Sequence, residues 1–137
     1  MESINWIGAV VGAIAAFGLG AVWYSPAVFG RRWQAAAGLS DDDIAAAPMG
    51  RTFAVAGMAS LIAALVFAAF LGPAGIAFGT AVGAVGATAG IGWVATSFAI
   101  NYVFEQKPLA LFLINAGYHA VQFTLYGFCI GAANAWS

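Results

Sequence analysis

The sequence predicts an all-α polytopic membrane protein, with four transmembrane helices and a short amphipathic helix lying in the interface between the first two. Three observations predict it. Apolar runs of membrane length recur along the chain, at about residues 4–24, 52–71, 76–102 and 109–133. Only 7% of the 137 residues are charged and 64% are hydrophobic, whereas an ordinary soluble domain is about 25% charged. All four basic residues, Arg31, Arg32, Arg51 and Lys107, fall between runs one and two or between runs three and four. No long linker interrupts the pattern, so residues 1–137 read as a single membrane domain.

The first run lacks a basic n-region and is too long for the apolar part of a signal peptide, so it is expected to stay as a membrane helix. Asn5 and Trp6 suit the interface. Gly8 and Gly12 form a G-x-x-x-G pair, followed by Gly18 and Gly20, a spacing that lets helix backbones approach closely. Next comes Gly20-Ala-Val-Trp-Tyr-Ser-Pro-Ala-Val-Phe-Gly-Arg-Arg-Trp33. Trp23 and Tyr24 read as interfacial aromatics. Ser25 reads as an N-cap and Pro26 as the first position of a new helix over about 26–37. Val28, Phe29 and Trp33 share one side of it, and Arg31 and Arg32 can reach lipid headgroups. Gly38 is a fitting C-terminal stop.

Ser40-Asp-Asp-Asp43 invites a cation-site reading. A capping box on a short helix accounts for it better, because acids are favoured in a first turn and no further ligands lie nearby in sequence. Pro48 and Gly50 are expected to end that element. The second run is nearly featureless apart from Gly57 and Ser60, and Gly72-Pro-Ala-Gly75 reads as a tight turn. The third run carries Gly75, Gly79, Gly83 and Ala87 at every fourth residue, with Gly86 and Gly90, and is expected to pack against neighbours. It turns polar late, at Thr96, Ser97 and Asn101. Glu105 is expected to pair with one of the four basic residues, and Pro108 opens the fourth run.

The chemistry is concentrated in that fourth run. Asn115, His119, Gln122 and Tyr126 fall within one narrow helical arc, with Tyr118 at its margin. Polar groups without partners in hydrocarbon cost several kcal/mol each, so other helices must cover this stripe or it must line a cavity. His119 is the chain's one histidine and sits near mid-bilayer, where an ionisable side chain is a functional candidate by default. The candidate ligand-binding set is Asn115, Tyr118, His119, Gln122 and Tyr126, with Asn101, Trp23 and Tyr24. The opposite side of the same helix carries Gly117, Ala120, Thr124 and Gly131. Burying both sides points to a homo-oligomer, most simply a dimer.

Other classes are excluded or thinly supported. A net charge of −1 with no basic block argues against nucleic acid. Cys129 stands alone, so it makes no intrachain disulfide or cysteine cluster and reads as a packing residue. No nucleophile triad, His-x-x-x-His or phosphate loop is present, so no catalytic residue, metal or cofactor is expected. Because the basic residues lie in two loops, both termini are expected outside the cell membrane and both charged loops in the cytoplasm.

Asn5, the Trp-Tyr-Ser-Pro block with its Phe29, Gly30 and Trp33, Gly38-Leu-Ser40 and the Asn115…His119 helix together resemble a bacterial membrane family catalogued as domain of unknown function 1761. The resemblance spans nearly the whole chain. It implies a small integral membrane protein with four spans and no established activity, and it supplies no site residues. The leading functional expectation is a protein that binds or transports a small molecule or ion, of a kind unknown, along the polar stripe. The alternatives are a structural or accessory subunit packing against a membrane complex, and a membrane-embedded enzyme acting on a lipid or quinone.

Overall fold

In the computed structural model, residues 4–72, 77–78 and 80–135 are described, apart from the side chains at 81–83, and these residues form helices and no strands. The rest of the Gly72–Gly75 turn, the expected start at 76, and Gly79 lie outside the described residues. Helix α1, Trp6–Trp23, opens on Asn5, whose side-chain oxygen accepts from the Gly8 N–H at 2.7 Å. The Asn5 amide also donates to Asn134, near the end of the last helix. One N-cap thus satisfies an orphan donor and ties the two ends of the chain together.

The Trp-Tyr-Ser-Pro block is a turn, and it corrects the expected helix over 26–37. Helix α2 runs Gly30–Ala37. The Ser25 carbonyl accepts from Val28 N–H at 3.1 Å and Gly30 N–H at 2.9 Å, and its hydroxyl donates back to the Val22 carbonyl at 2.7 Å. Ser25 therefore closes α1 and cannot cap α2. Gly30 is required here: a Cβ on it would meet the Tyr24 carbonyl oxygen and stand 2.7 Å from the Ser25 carbonyl group. Helix α2 ends at Gly38 in the left-handed region, φ 72°, where its N–H and that of Leu39 satisfy the Ala35 and Gln34 carbonyls.

Helix α3, Asp41–Ala46, carries the full capping box between Ser40 and Asp43. Helix α4, Met49–Leu71, starts three residues before the expected position of 52. Helix α3 ends just before Pro48, as expected, and Pro48 also caps α4, its carbonyl accepting from both the N–H and the hydroxyl of Thr52, while Gly50 lies in the first turn of α4 instead of ending α3. The third long helix is not uniform. Thr80–Ala87 and Gly90–Ala95 are π-helical, and α5, Thr96–Phe104, is α-helical and ends two residues beyond the expected 102. Glycines weaken the regular ladder, and the hydroxyls of Thr96 and Ser97 bond the Gly92 and Trp93 carbonyls, which loosens it further. Gln106, at φ 54°, turns the chain into α6, Leu109–Ala135.

Helix α6 is the centre of the packing. It lies against α1 on one side and the π-helical segments on the other, while α4 packs mainly on α1. Glycines allow the closest approaches. A Cβ on Gly8 would stand 2.8 Å from Ile130 Cα, and one on Gly90 would stand 2.8 Å from Ala120 Cα. The core is accordingly small-grained: Ala9, Ala13, Ala16, Ala64 and Ala68 around Phe67, Tyr126 and Ile130. The small side of α6 is covered within the chain, by the Trp23 ring over Gly117 and by Gly90 over Ala120. Gly117, Ala120 and Thr124 remain half-buried, and Gly131 is buried. Glu105 forms no ion pair among the described residues, and it is exposed, where pairing adds little.

Helices α1 and α4, of 18 and 23 residues, are long and apolar enough to cross a membrane. Helix α6 is longer, 27 residues, but Asn115, His119 and Gln122 interrupt its apolar run. Large apolar side chains, among them Ile7, Ile14, Val66, Ile100 and Leu109, cover the outer surface, more than water-facing monomers present.

Two outcomes follow from these local structures. Gly30→Ala is expected to destabilise the fold by about 1–3 kcal/mol, because the obstructing atoms are backbone; thermal unfolding in detergent measures it. Asp43 is held below its usual pKa by the Ser40 N–H and then by the Ser40 hydroxyl. A depressed folded pKa means its contribution is present above the ordinary carboxylate value and is lost as pH falls through the lowered one. Amide protection factors over 41–46, with the intrinsic pH dependence of exchange divided out, are therefore expected to fall on acidification in the wild type, and to change much less with pH in Asp43→Asn.

Candidate functional site

The polar stripe of α6 lies between helices, and its residues bond to the chain itself. At the end nearest Pro108, Asn115 joins three elements. Its side-chain oxygen accepts from the Tyr24 hydroxyl at 2.8 Å, and its amide donates to the Tyr102 hydroxyl at 2.8 Å. The Trp23 indole donates to the Ile114 carbonyl at 3.0 Å. Its ring fits there because Gly117 has no side chain. The Tyr118 hydroxyl donates to the Ala16 carbonyl at 3.1 Å, and its ring contacts Trp23, Tyr24 and His119. Trp33 of α2 closes edge-on over Tyr24. The block after α1 is thereby docked on α6 by aromatic rings and hydrogen bonds together.

Deeper along α6 runs a second chain of bonds. His119 Nδ1 meets Gln122 Oε1 at 2.5 Å, so Nδ1 carries the hydrogen and the amide oxygen accepts. The Gln122 amide donates to the Tyr126 hydroxyl at 2.6 Å. That hydroxyl donates to the Ser60 carbonyl at 3.0 Å, and the Ser60 hydroxyl, 2.8 Å away, is placed to donate to it. Ser60, Gln122 and Tyr126 are all buried, and no buried side-chain polar atom among the described residues lacks a partner. The His119 ring stacks on Phe98, with centroids 5.1 Å apart and planes 22° apart.

Seven of the eight candidate residues are therefore brought together. Asn101 is not: it is exposed on the outer face of α5, and its neighbour Tyr102 makes the bond to Asn115. Sequence reasoning missed Ser60, Tyr102 and Phe98 as members of the network. Ser60 carried a usable signal, as a lone hydroxyl midway along an otherwise apolar run. Tyr102 and Phe98 carried none, because only the tertiary fold brings their helix alongside α6.

Chemically this is a satisfied network with no activated group. His119 is oriented by an amide and not by a carboxylate, and it meets the serine only through Gln122 and Tyr126. Among the described residues no three His, Cys, Asp or Glu side chains lie close enough to hold a metal ion. Two depressions stand out on the outer surface of the described residues. One, of about 290 Å³, is lined by Trp93, Val94, Ser97, Phe98 and Asn101. The other, of about 400 Å³, is lined by Ala54, Val55, Met58, Ala59 and Ile62 of α4. No residue of the stripe lines either.

The chain matches, over residues 7–131, the family described as protein of unknown function (DUF1761). It belongs to that family. No curated protein and no solved structure matches it. The match takes in the Trp-Tyr-Ser-Pro block and all of the α6 stripe.

Removing the Tyr126 hydroxyl strands donors and acceptors on both Ser60 and Gln122. Tyr126→Phe is expected to cost about 1–2 kcal/mol. A double-mutant cycle with Ser60→Ala, read by unfolding in detergent, is expected to show the two substitutions as strongly non-additive.

Proposed function

We propose that this DUF1761 protein is a four-span membrane protein with an internal, structural polar stripe, acting as an accessory subunit through its outer helix faces. The observation that carries this reading is the pairing of the stripe. Asn115, Tyr118, His119, Gln122 and Tyr126 all bond to α1, α4, α5 or one another. A buried polar contact between membrane helices fixes which helices meet and at what register, since slipping would strand the groups in hydrocarbon. Arg31, Arg32, Arg51 and Lys107 support an orientation with both termini outside and the two charged loops in the cytoplasm.

Binding or transport along the stripe is the second reading. One observation favours it: Phe98 both lines the 290 Å³ depression and stacks on the His119 ring. A ligand would have to displace Phe98 and break the His119–Gln122 bond to reach the stripe.

The single histidine allows a test on the unmodified chain. In lipid vesicles, carbethoxylation of His119 by diethyl pyrocarbonate is expected to be far slower than that of free histidine, and to become rapid only on unfolding. Rapid modification in the intact bilayer would show a wet stripe and favour the second reading. For topology, cysteines introduced one at a time in Cys129→Ala at Arg31, Gln106 and Ala135 are to be labelled with an impermeant maleimide. Gln106 and Ala135 are expected on opposite sides of the membrane, with Arg31 and Gln106 on the same side. Any other distribution overturns the four-span arrangement.

A further inference from the structure

We infer that α5 has a second register on α6, one residue along, in which Ser97 and Asn101 take the places of Phe98 and Tyr102 and the ring of His119 is uncovered; the inference goes beyond the accessory reading of the stripe. Its source is the π segment Gly90–Ala95, of 6 residues. A single-turn π segment is an α-helix that carries one extra residue, and such segments recur at functional sites. The upstream end of this one is fixed. A Cβ on Gly90 would stand 2.8 Å from Ala120 Cα and 2.9 Å from the His119 carbonyl oxygen. The downstream end is held lightly, for α5 contains no fully buried residue. Among the described residues, its hydrogen bond to α6 is the one from the Asn115 amide to the Tyr102 hydroxyl, and its ring contact is Phe98 on His119.

Absorbing the extra residue into regular α-helix turns everything beyond it by about 100° and advances it by about 1.5 Å, which is the displacement of one residue. Asn101 then stands where Tyr102 stood, and Ser97 where Phe98 stood. The sequence suits both arrangements. Val94, Phe98 and Tyr102 form a half-buried row, and Trp93, Ser97 and Asn101 form the exposed row beside it. Both rows step by four residues, as Asn115 and His119 do on α6. The Asn115 N–H that donates to the Tyr102 hydroxyl finds the side-chain carbonyl of Asn101 in exchange. Phe98 leaves the His119 ring, and the much smaller Ser97 replaces it. The turn at Gln106, within the exposed stretch 105–108, takes up the advance.

Hydroxyls hold the π segment in its wide form. The Thr96 hydroxyl donates to the Gly92 carbonyl at 2.7 Å and lies 3.0 Å from the Trp93 carbonyl, and the Ser97 hydroxyl donates to the Trp93 carbonyl at 2.6 Å. Both carbonyls belong to the π segment, where a widened ladder leaves carbonyls short of N–H donors. A side chain inserted there favours the wide turn. In regular α-helix the same two carbonyls take the N–H groups of Thr96 and Ser97, four residues on. Each register therefore satisfies these carbonyls, and Thr96, which reaches both of them, biases the choice.

The test uses the full chain with Cys129→Ala, in lipid vesicles, with His119→Cys paired with either Phe98→Cys or Ser97→Cys. Mild oxidation is expected to cross-link the 98/119 pair quickly and the 97/119 pair more slowly. Adding Thr96→Val is expected to raise the 97/119 rate relative to the 98/119 rate by about two- to tenfold, the range one hydroxyl hydrogen bond can set. Deleting Ala95 removes the extra residue, and is expected to keep the 98/119 cross-link while slowing the 97/119 one. A 97/119 pair that stays silent with Thr96→Val, or that cross-links as fast after the deletion as before it, overturns the inference. Loss of the 98/119 cross-link on deletion does so too, since the π segment would then hold no spare residue. A second readout leaves His119 in place. Its carbethoxylation by diethyl pyrocarbonate is expected to be about two- to tenfold faster in Thr96→Val than in the unmodified chain, and slowest in the deletion variant. Equal rates in all three overturn the uncovering of His119.

Discussion

The fold depends on burying one side of α6. A helix of membrane length that carries Asn115, His119, Gln122 and Tyr126 along one arc cannot present that arc to an apolar surrounding. Each neighbour supplies what the arc needs. Helix α4 gives Ser60, α5 gives Tyr102, and the end of α1 gives Trp23 and Tyr24. The Tyr126 hydroxyl is the most tightly held point, completely buried with three partner groups. Moving any of these helices by one residue would leave buried donors unpaired, so the hydrogen bonds set register while the alanine-rich core supplies close contact.

Glycine makes that burial geometrically possible. Side-chain partners reach one another only because the backbones approach, and they approach at Gly8 and Gly90, where a Cβ would meet α6 backbone. At the other end, Gly30 lets the chain fold tightly enough to return Trp33 over Tyr24. The block after α1 is thus a structural clamp. Its aromatics look like interfacial anchors in sequence, but Trp23 and Tyr24 spend their polar atoms on Ile114 and Asn115.

The third long helix departs from this economy. Its π-helical segments touch α6, while its outward side exposes Thr88, Trp93, Thr96, Ser97 and Asn101. Every polar side chain of the stripe is satisfied within the chain, and these side chains lie outside it. The stripe therefore accounts for how the helices of one chain assemble.

Local chemistry was legible in the sequence. The apolar runs, the arc of polar residues on α6, the Ser40–Asp43 capping box and the stop at Gly38 all follow from composition, spacing and backbone preference, which are properties of neighbouring residues. Relations between distant residues were not legible. Whether Asn101 or Tyr102 meets Asn115 turns on about 100° of helix rotation, which packing decides. Whether Ser25 closes α1 or opens α2 depends on a turn that only Gly30 permits. That the small side of α6 is covered from within the chain depends on where Trp23 and Gly90 land. Periodicity tells which side of a helix must be covered. Only the close packing of specific side chains decides what covers it.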